Sequence, residues 1–107
     1  MVWASPHLNA HRKQIADLAL RSRLPVLDDF RYPGSPREAL MIYGAKFADV
    51  MREAIPSVDK ILKGAKPGEL AIGQAKTFEL VINLKTAKAM GLTIPQSLMP
   101  RADEVIE

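Results

Sequence analysis

The sequence contains no cysteine. Disulfides, thiolate metal sites and a cysteine nucleophile are thereby excluded, while the redox compartment stays undetermined. It has no long apolar run either. Nothing in it approaches the roughly 20 residues a membrane-spanning helix needs. The opening "MVWASPHLNAHRKQ" lacks the basic segment and apolar stretch of a secretory signal. As given, the chain is expected to be soluble and, expressed alone, cytoplasmic. Aromatic residues make up 6%, and they are not interleaved with basic ones. The 15 basic and 12 acidic residues are scattered over every segment, so the net charge of +3 describes a solvated surface and no nucleic acid is expected as partner.

What is present is ordinary globular material, 48% hydrophobic and 25% charged over 107 residues. That length suits one domain with one modest core and cannot furnish two full lobes. Met1 to Ala4 reads as the end of a strand, since it runs apolar into Ser5 and Pro6. Leu8, Ile15, Leu18 and Ala19 recur at helical spacing, with Ser5 or Asn9 as N-cap, and predict a helix ending near Arg23 before Pro25. A short strand, "PVLD", follows. The loop "DDFRYPGSPRE" leads to a second strand, "ALMIYG", ended by Gly44. Phe47, Val50, Met51, Ala54, Val58, Ile61 and Leu62 then form one stripe that keeps its phase across Pro56, which predicts a single bent helix closed by Gly64.

"AKPGELAIGQAKT" is a connector, and the strand "FELVIN" follows it directly. Its apolar residues on both faces predict burial from two sides, as in a parallel sheet. A helix from Leu84 to Met90 comes next, with Asn83 as N-cap and Gly91 beyond its end. Alternating strands and helices give an α/β class with parallel strands.

His7 and His11 stand four apart, on one helix face, but neither an HExxH sequence nor a cysteine accompanies them, so they read as solvated imidazoles and no metal is expected. No serine sits in a G-x-S-x-G setting, and "GAKPG" lacks the pattern of a phosphate loop. No constellation supports an enzyme, a catalytic residue or a cofactor. Asp28 and Asp29 follow one strand, and Tyr43 and Gly44 end another, at the carboxyl ends where ligands of open α/β sheets collect. In the functional reading a carboxylate faces a ligand ammonium and the tyrosine supplies a flat apolar face. In the structural reading the aspartates cap a turn and Tyr43 is core edge. The second is favoured for the aspartates, and Tyr43 stays open.

At "SVDKILKGAKPGEL" and "FELVINLKTAKAMGLTIPQSLMPRADEVIE" the chain resembles the C-terminal part of a bacterial ABC-transporter substrate-binding protein family. The likeness extends back through "LMIYG" and "NAHRKQIADLALRSRLP". It implies a periplasmic-binding-protein type I-like fold of two hinged α/β lobes, of which this chain would be a lobe fragment with a C-terminal strand-helix extension. On that resemblance, 1–64 is a partial lobe-two unit, 65–76 crosses the hinge, and 77–107 belongs to lobe one. The implied role is non-enzymatic binding of a small molecule such as an amino acid, delivered to a membrane permease and its ATPase from a periplasmic or lipid-anchored extracytoplasmic position. Only Tyr43 and Gly44 carry over as ligand-facing positions. Ile42 stands where the family usually has a serine, Asp28 and Asp29 replace an aromatic-and-proline type of pair, and the loop around Pro33 to Pro36 looks longer.

A single lobe cannot close, so weak or no ligand binding is expected of the chain by itself. If the sheet partners of "FELVIN" are missing, the segment Thr77 to Ile94 is expected to pack against a second copy, giving a homodimer or higher closed oligomer. The second reading is accordingly a self-associating interaction module without transport activity.

Overall fold

A computed structural model describes residues 1, 5–31 and 38–107. The strand expected at Met1 to Ala4 and the loop around Pro33 to Pro36 fall largely or wholly outside the described residues. The elements run α1 (Pro6–Ala10), α2 (Arg12–Arg21), β1 (Leu27–Asp28), β2 (Met41–Ala45), α3 (Phe47–Leu62), β3 (Phe78–Asn83), α4 (Leu84–Met90) and β4 (Glu104–Ile106), with 3-10 turns at Pro67–Glu69 and Met99–Arg101.

Local chemistry accounts for most of these limits. The Ser5 hydroxyl caps α1 by accepting from the Leu8 N–H at 3.1 Å. The single helix expected to follow is two, because the chain turns at His11 (φ −107°, ψ 14°) before α2 begins. α3 continues through Pro56 as one helix. The Asn83 side chain accepts from the Thr86 N–H at 2.9 Å, and Gly91 ends α4 in the left-handed region at φ 70°, where a Cβ would be strained.

The four strands form one sheet in the order β1-β2-β3-β4. β1 and β2 are parallel, as are β3 and β4, whereas β2 and β3 are antiparallel through five residue pairs, Met41 opposite Ile82 to Ala45 opposite Phe78. The fold is thus mixed α/β with a mostly parallel sheet, and one pairing departs from the all-parallel expectation. Hydrophobic periodicity specifies which face a side chain takes, not the direction of the neighbouring strand.

A further expectation is corrected here. "FELVIN" does not lack sheet partners: β2 pairs with one edge of β3 and β4 with the other. Val81 and Ile82 are 1% and 0% exposed. The shortage of partners that argued for a second copy packing on Thr77 to Ile94 is therefore absent. Residues 77–107, assigned by resemblance to a different lobe from 1–64, share its sheet.

The core lies on that sheet, where Ala39, Ile42 and Val81 cluster with Val26 and Ile106. Ala19 of α2 and Ala87 of α4 are also buried. α3 contributes no buried residue. The Cα radius of gyration is 17.1 Å, against about 13 Å for a compact chain of this length.

Candidate functional site

Because β1 and β2 are parallel, their carboxyl ends lie side by side. The four residues singled out above fall there. Asp28 pairs in register with Ile42, which places Asp29 and Phe30 alongside Tyr43 and Gly44. Contact at this point is close: a Cβ built on Gly44 would lie 1.7 Å from the Asp29 carbonyl oxygen. Only glycine lets the two backbones approach so nearly.

Asp28 is buried, and its carboxylate lies 3.6 Å from the guanidinium of Arg12, itself buried on α2. Arg12 also donates to the Phe30 carbonyl at 3.3 Å. It thereby ties the start of α2 to the end of β1. Burial outweighs the attraction of Arg12, and with the adjacent Asp29 it holds the Asp28 carboxyl above its ordinary pKa of 3.8. Asp28 therefore lies in β1 with its carboxylate turned toward Arg12. Phe30 meets Phe47, the first residue of α3, edge to face at 5.5 Å.

Tyr43 is 54% exposed and points to the opposite face from the buried Ile42 and Gly44. Its ring stacks on Phe78 of β3 with centroids 6.0 Å apart and planes 22° apart. Phe78 is 50% exposed. The pair forms a flat aromatic surface on the sheet. Core edge is therefore not its setting.

Beside this rim lies an open cavity of about 250 Å³ lined by Arg31, Lys46, Phe47, Ala48 and Glu79. Arg31 hydrogen-bonds the Glu104 carboxylate and stands 3.8 Å from that of Glu79. Lys46 reaches Asp103 at 4.0 Å, and the Asp103 carboxylate accepts from the Leu80 N–H. The cavity wall thus carries both signs of charge. Another cavity, of about 440 Å³, is lined by residues of α2 and α4 with Asn83 and Ile106. It opens at the amino end of β2, away from the rim.

Sequence reading missed Arg12 and Arg31. Arg12 had a signal, since it shares a helix face with Ile15 and Ala19, where a solvated arginine does not belong. Arg31 had none, because its partners lie far along the chain. The His7 and His11 rings are 4.8 Å apart, and the His11 Nδ1–H donates to the His7 carbonyl. Among the described residues no group of three or more His, Cys, Asp or Glu is placed to hold a metal ion.

The family described as ABC transporter substrate binding protein matches residues 15–106. The chain belongs to that family. By that description the family is one of substrate-binding proteins. Among solved structures, the chain is similar to a conserved domain protein from Vibrio cholerae, with TM-score 0.83 and 23% identity over 96% of this chain and 34% of that one. It is also similar to an ABC domain from Streptococcus pneumoniae in complex with L-Trp, with TM-score 0.78 and 22% identity over 97% of this chain and 36% of that one. A third likeness, with TM-score 0.57 and 15% identity, is to the ligand-free, open structure of a substrate binding protein with adhesive properties from Clostridium difficile, covering 98% of this chain and 35% of that one. No curated protein sequence matches. The chain spans about a third of the length of these solved relatives. Among its described residues no helix is long and apolar enough to cross a membrane.

Proposed function

We propose that this chain supplies one wall of the ligand cleft of an ABC-transporter solute-binding protein for an amino acid or similar small amine. The observation that carries the reading is the convergence of Asp29, Tyr43 and Gly44 at the carboxyl ends of β1 and β2, beside an open cavity. Ligands of open α/β sheets collect at that end. The exposed Tyr43–Phe78 surface offers a flat apolar contact, and Asp29 a carboxylate for an ammonium group. Asp28 is assigned to hold the rim through Arg12. That the Streptococcus pneumoniae relative is in complex with L-Trp supports an aromatic amino acid as the first ligand to try.

Two lobes closing on the ligand would present it to a membrane permease and its ATPase, outside the cytoplasm. Segment 65–76 is proposed as a hinge crossing. The test is a heteronuclear NMR titration of the chain with L-Trp and with L-Leu. Shifts confined to Asp28–Arg31, Tyr43–Phe47 and Phe78–Glu79, without saturation below millimolar ligand, are expected from a single wall. Shifts centred on the cavity between α2 and α4, or a micromolar isotherm, would overturn the reading.

A further inference from the structure

The segment that leaves β1 does not stay beside β2 but lies across it. Residues paired in register share a face of the sheet, so Gly44 opposite Glu79, and Val81 opposite Glu104, put all four positions on the face that carries Ile42. The Asp29 carbonyl occupies the space over Gly44 on that face, 1.7 Å from where a Cβ would stand. Two residues on, the Arg31 guanidinium hydrogen-bonds the Glu104 carboxylate and lies 3.8 Å from that of Glu79. A segment that starts at one edge strand thus reaches the other over the two strands between them. We infer that Asp29–Arg31 is a strap over the end of the sheet, and that Arg31, by anchoring its far end, is the positioning residue that holds Asp29 at the candidate cleft. The positioning role rests on the ligand reading above, and the strap does not.

The strap is held differently at its two ends. Its root is fixed from behind, where Arg12 lies 3.6 Å from the Asp28 carboxylate and donates to the Phe30 carbonyl. The ladder of β1 with β2 ends at Asp28, so the strap runs on past the reach of that pairing. The Phe30 ring meets Phe47 edge to face, an apolar contact that fixes the ring without locating the segment along the sheet. The far end is located by charge. Arg31, Glu79 and Glu104 have side chains 26%, 15% and 35% exposed, and an ion pair so withdrawn from water is screened less than one on an open surface. One cation serves carboxylates from two adjacent strands, which sets the strap over the seam between β3 and β4. Without it, Glu79 and Glu104 would be left as neighbours of like charge. Asp29 sits between root and anchor, so the place of its carboxylate relative to Tyr43 depends on both.

The test compares the 107-residue chain with Arg31→Met and Arg31→Lys by backbone ¹⁵N relaxation and by titration with L-Trp. In the parent, the order parameters of Asp29, Phe30 and Arg31 are expected near about 0.85, as in the sheet, and in Arg31→Met below about 0.6, with β2 and β3 unchanged. Both contacts of Arg31 are made by one nitrogen, Nη1, so a lysine ammonium can replace them and Arg31→Lys should restore the order. A purely stabilising arginine would loosen the elements together and not single out the strap. Should Arg31→Met fail to fold, Glu79→Gln combined with Glu104→Gln keeps the arginine and the side-chain shapes while removing both charges, and the same loss of order is expected. With L-Trp, the shift changes at Asp29 and Phe30 should be lost in the loosened variant while those at Tyr43 and Phe78 persist. A strap as ordered in the variant as in the parent, or one that lysine does not restore, would overturn the inference. An L-Trp response at Asp29 unchanged in a variant whose strap is loose would remove the positioning role. A parent with no response to L-Trp at any residue would sink the ligand reading and the positioning role with it, while relaxation alone decides the strap.

Discussion

Gly44→Ala tests the geometry of the candidate cleft at its tightest point. The new Cβ would lie 1.7 Å from the Asp29 carbonyl oxygen and 2.6 Å from its carbon, where approaches under 3.0 Å are essentially unknown. Both obstructing atoms are backbone, so no side chain can swing aside. The ends of β1 and β2 must part by more than an ångström. β1 pairs with β2 through only Leu27 opposite Met41 and Asp28 opposite Ile42, so a displacement of that size endangers the whole pairing and the Arg12–Asp28 contact behind it. Overpacking of this kind costs about 1–3 kcal/mol, and a lost backbone hydrogen bond about 1 kcal/mol more. A total near 3 kcal/mol is a large share of the roughly 5–15 kcal/mol that stabilises a domain. Thermal unfolding followed by circular dichroism should show the midpoint falling by about 10–20 °C. Two other glycines serve as controls. Gly73 has nothing within 4 Å of a built Cβ, so Gly73→Ala should stay within about 0.5 kcal/mol of the parent. Gly91 also has open space but a φ of +70°, so Gly91→Ala should cost about 1 kcal/mol from backbone strain alone. A Gly44→Ala protein as stable as Gly73→Ala would refute the close approach and with it the shape of the rim.

Asp28 gives the chain a signed pH dependence. Its folded pKa is raised above the ordinary 3.8, so the folded state holds the proton more tightly, and the stability it contributes is fully present below that value and lost as pH rises through the folded one. Urea unfolding of Asp28→Asn against the parent should therefore show the asparagine protein gaining relative stability between about pH 4 and pH 7, and the opposite trend would mean that Arg12 outweighs burial. Removing the cap of α4 with Asn83→Ala should cost about 1–2 kcal/mol in chemical denaturation, with much of it recovered in Asn83→Asp. Equal losses in the two variants would assign the effect to the surroundings of the buried side chain and not to its bond with Thr86.

Elements bounded by local chemistry were legible in the sequence. The Asn83 cap and Gly91 delimit α4 from within its own few residues, and the phase of the α3 stripe across Pro56 told of one helix without reference to any partner. Elements defined by distant partners were not. β4 is three residues whose pairing depends on register with Val81, Ile82 and Asn83, and the direction of β3 against β2 leaves no trace in either strand. The break at His11 was hidden because Leu8 and Ile15 keep a helical spacing across it. At the rim, strand ends marked Asp28, Asp29, Tyr43 and Gly44 as neighbours. The burial of Asp28 against Arg12, the stacking of Tyr43 on Phe78 and the contact forbidding a side chain at Gly44 arise only when separated segments meet.

The antiparallel pairing of β2 with β3 also separates two properties of the chain that usually change together. Neighbours in the sheet, these strands enclose the excursion of residues 46–77. The entropy of closing such a loop grows only logarithmically, by about 0.6 kcal/mol for each doubling of its length. Residues added or deleted between α3 and β3 should therefore alter stability by a few tenths of a kcal/mol, whereas a slip of one residue within Phe78–Asn83 would turn Val81 and Ile82 each to the other side of the sheet. Length is a free variable in the excursion, and register in the strand it returns to is not.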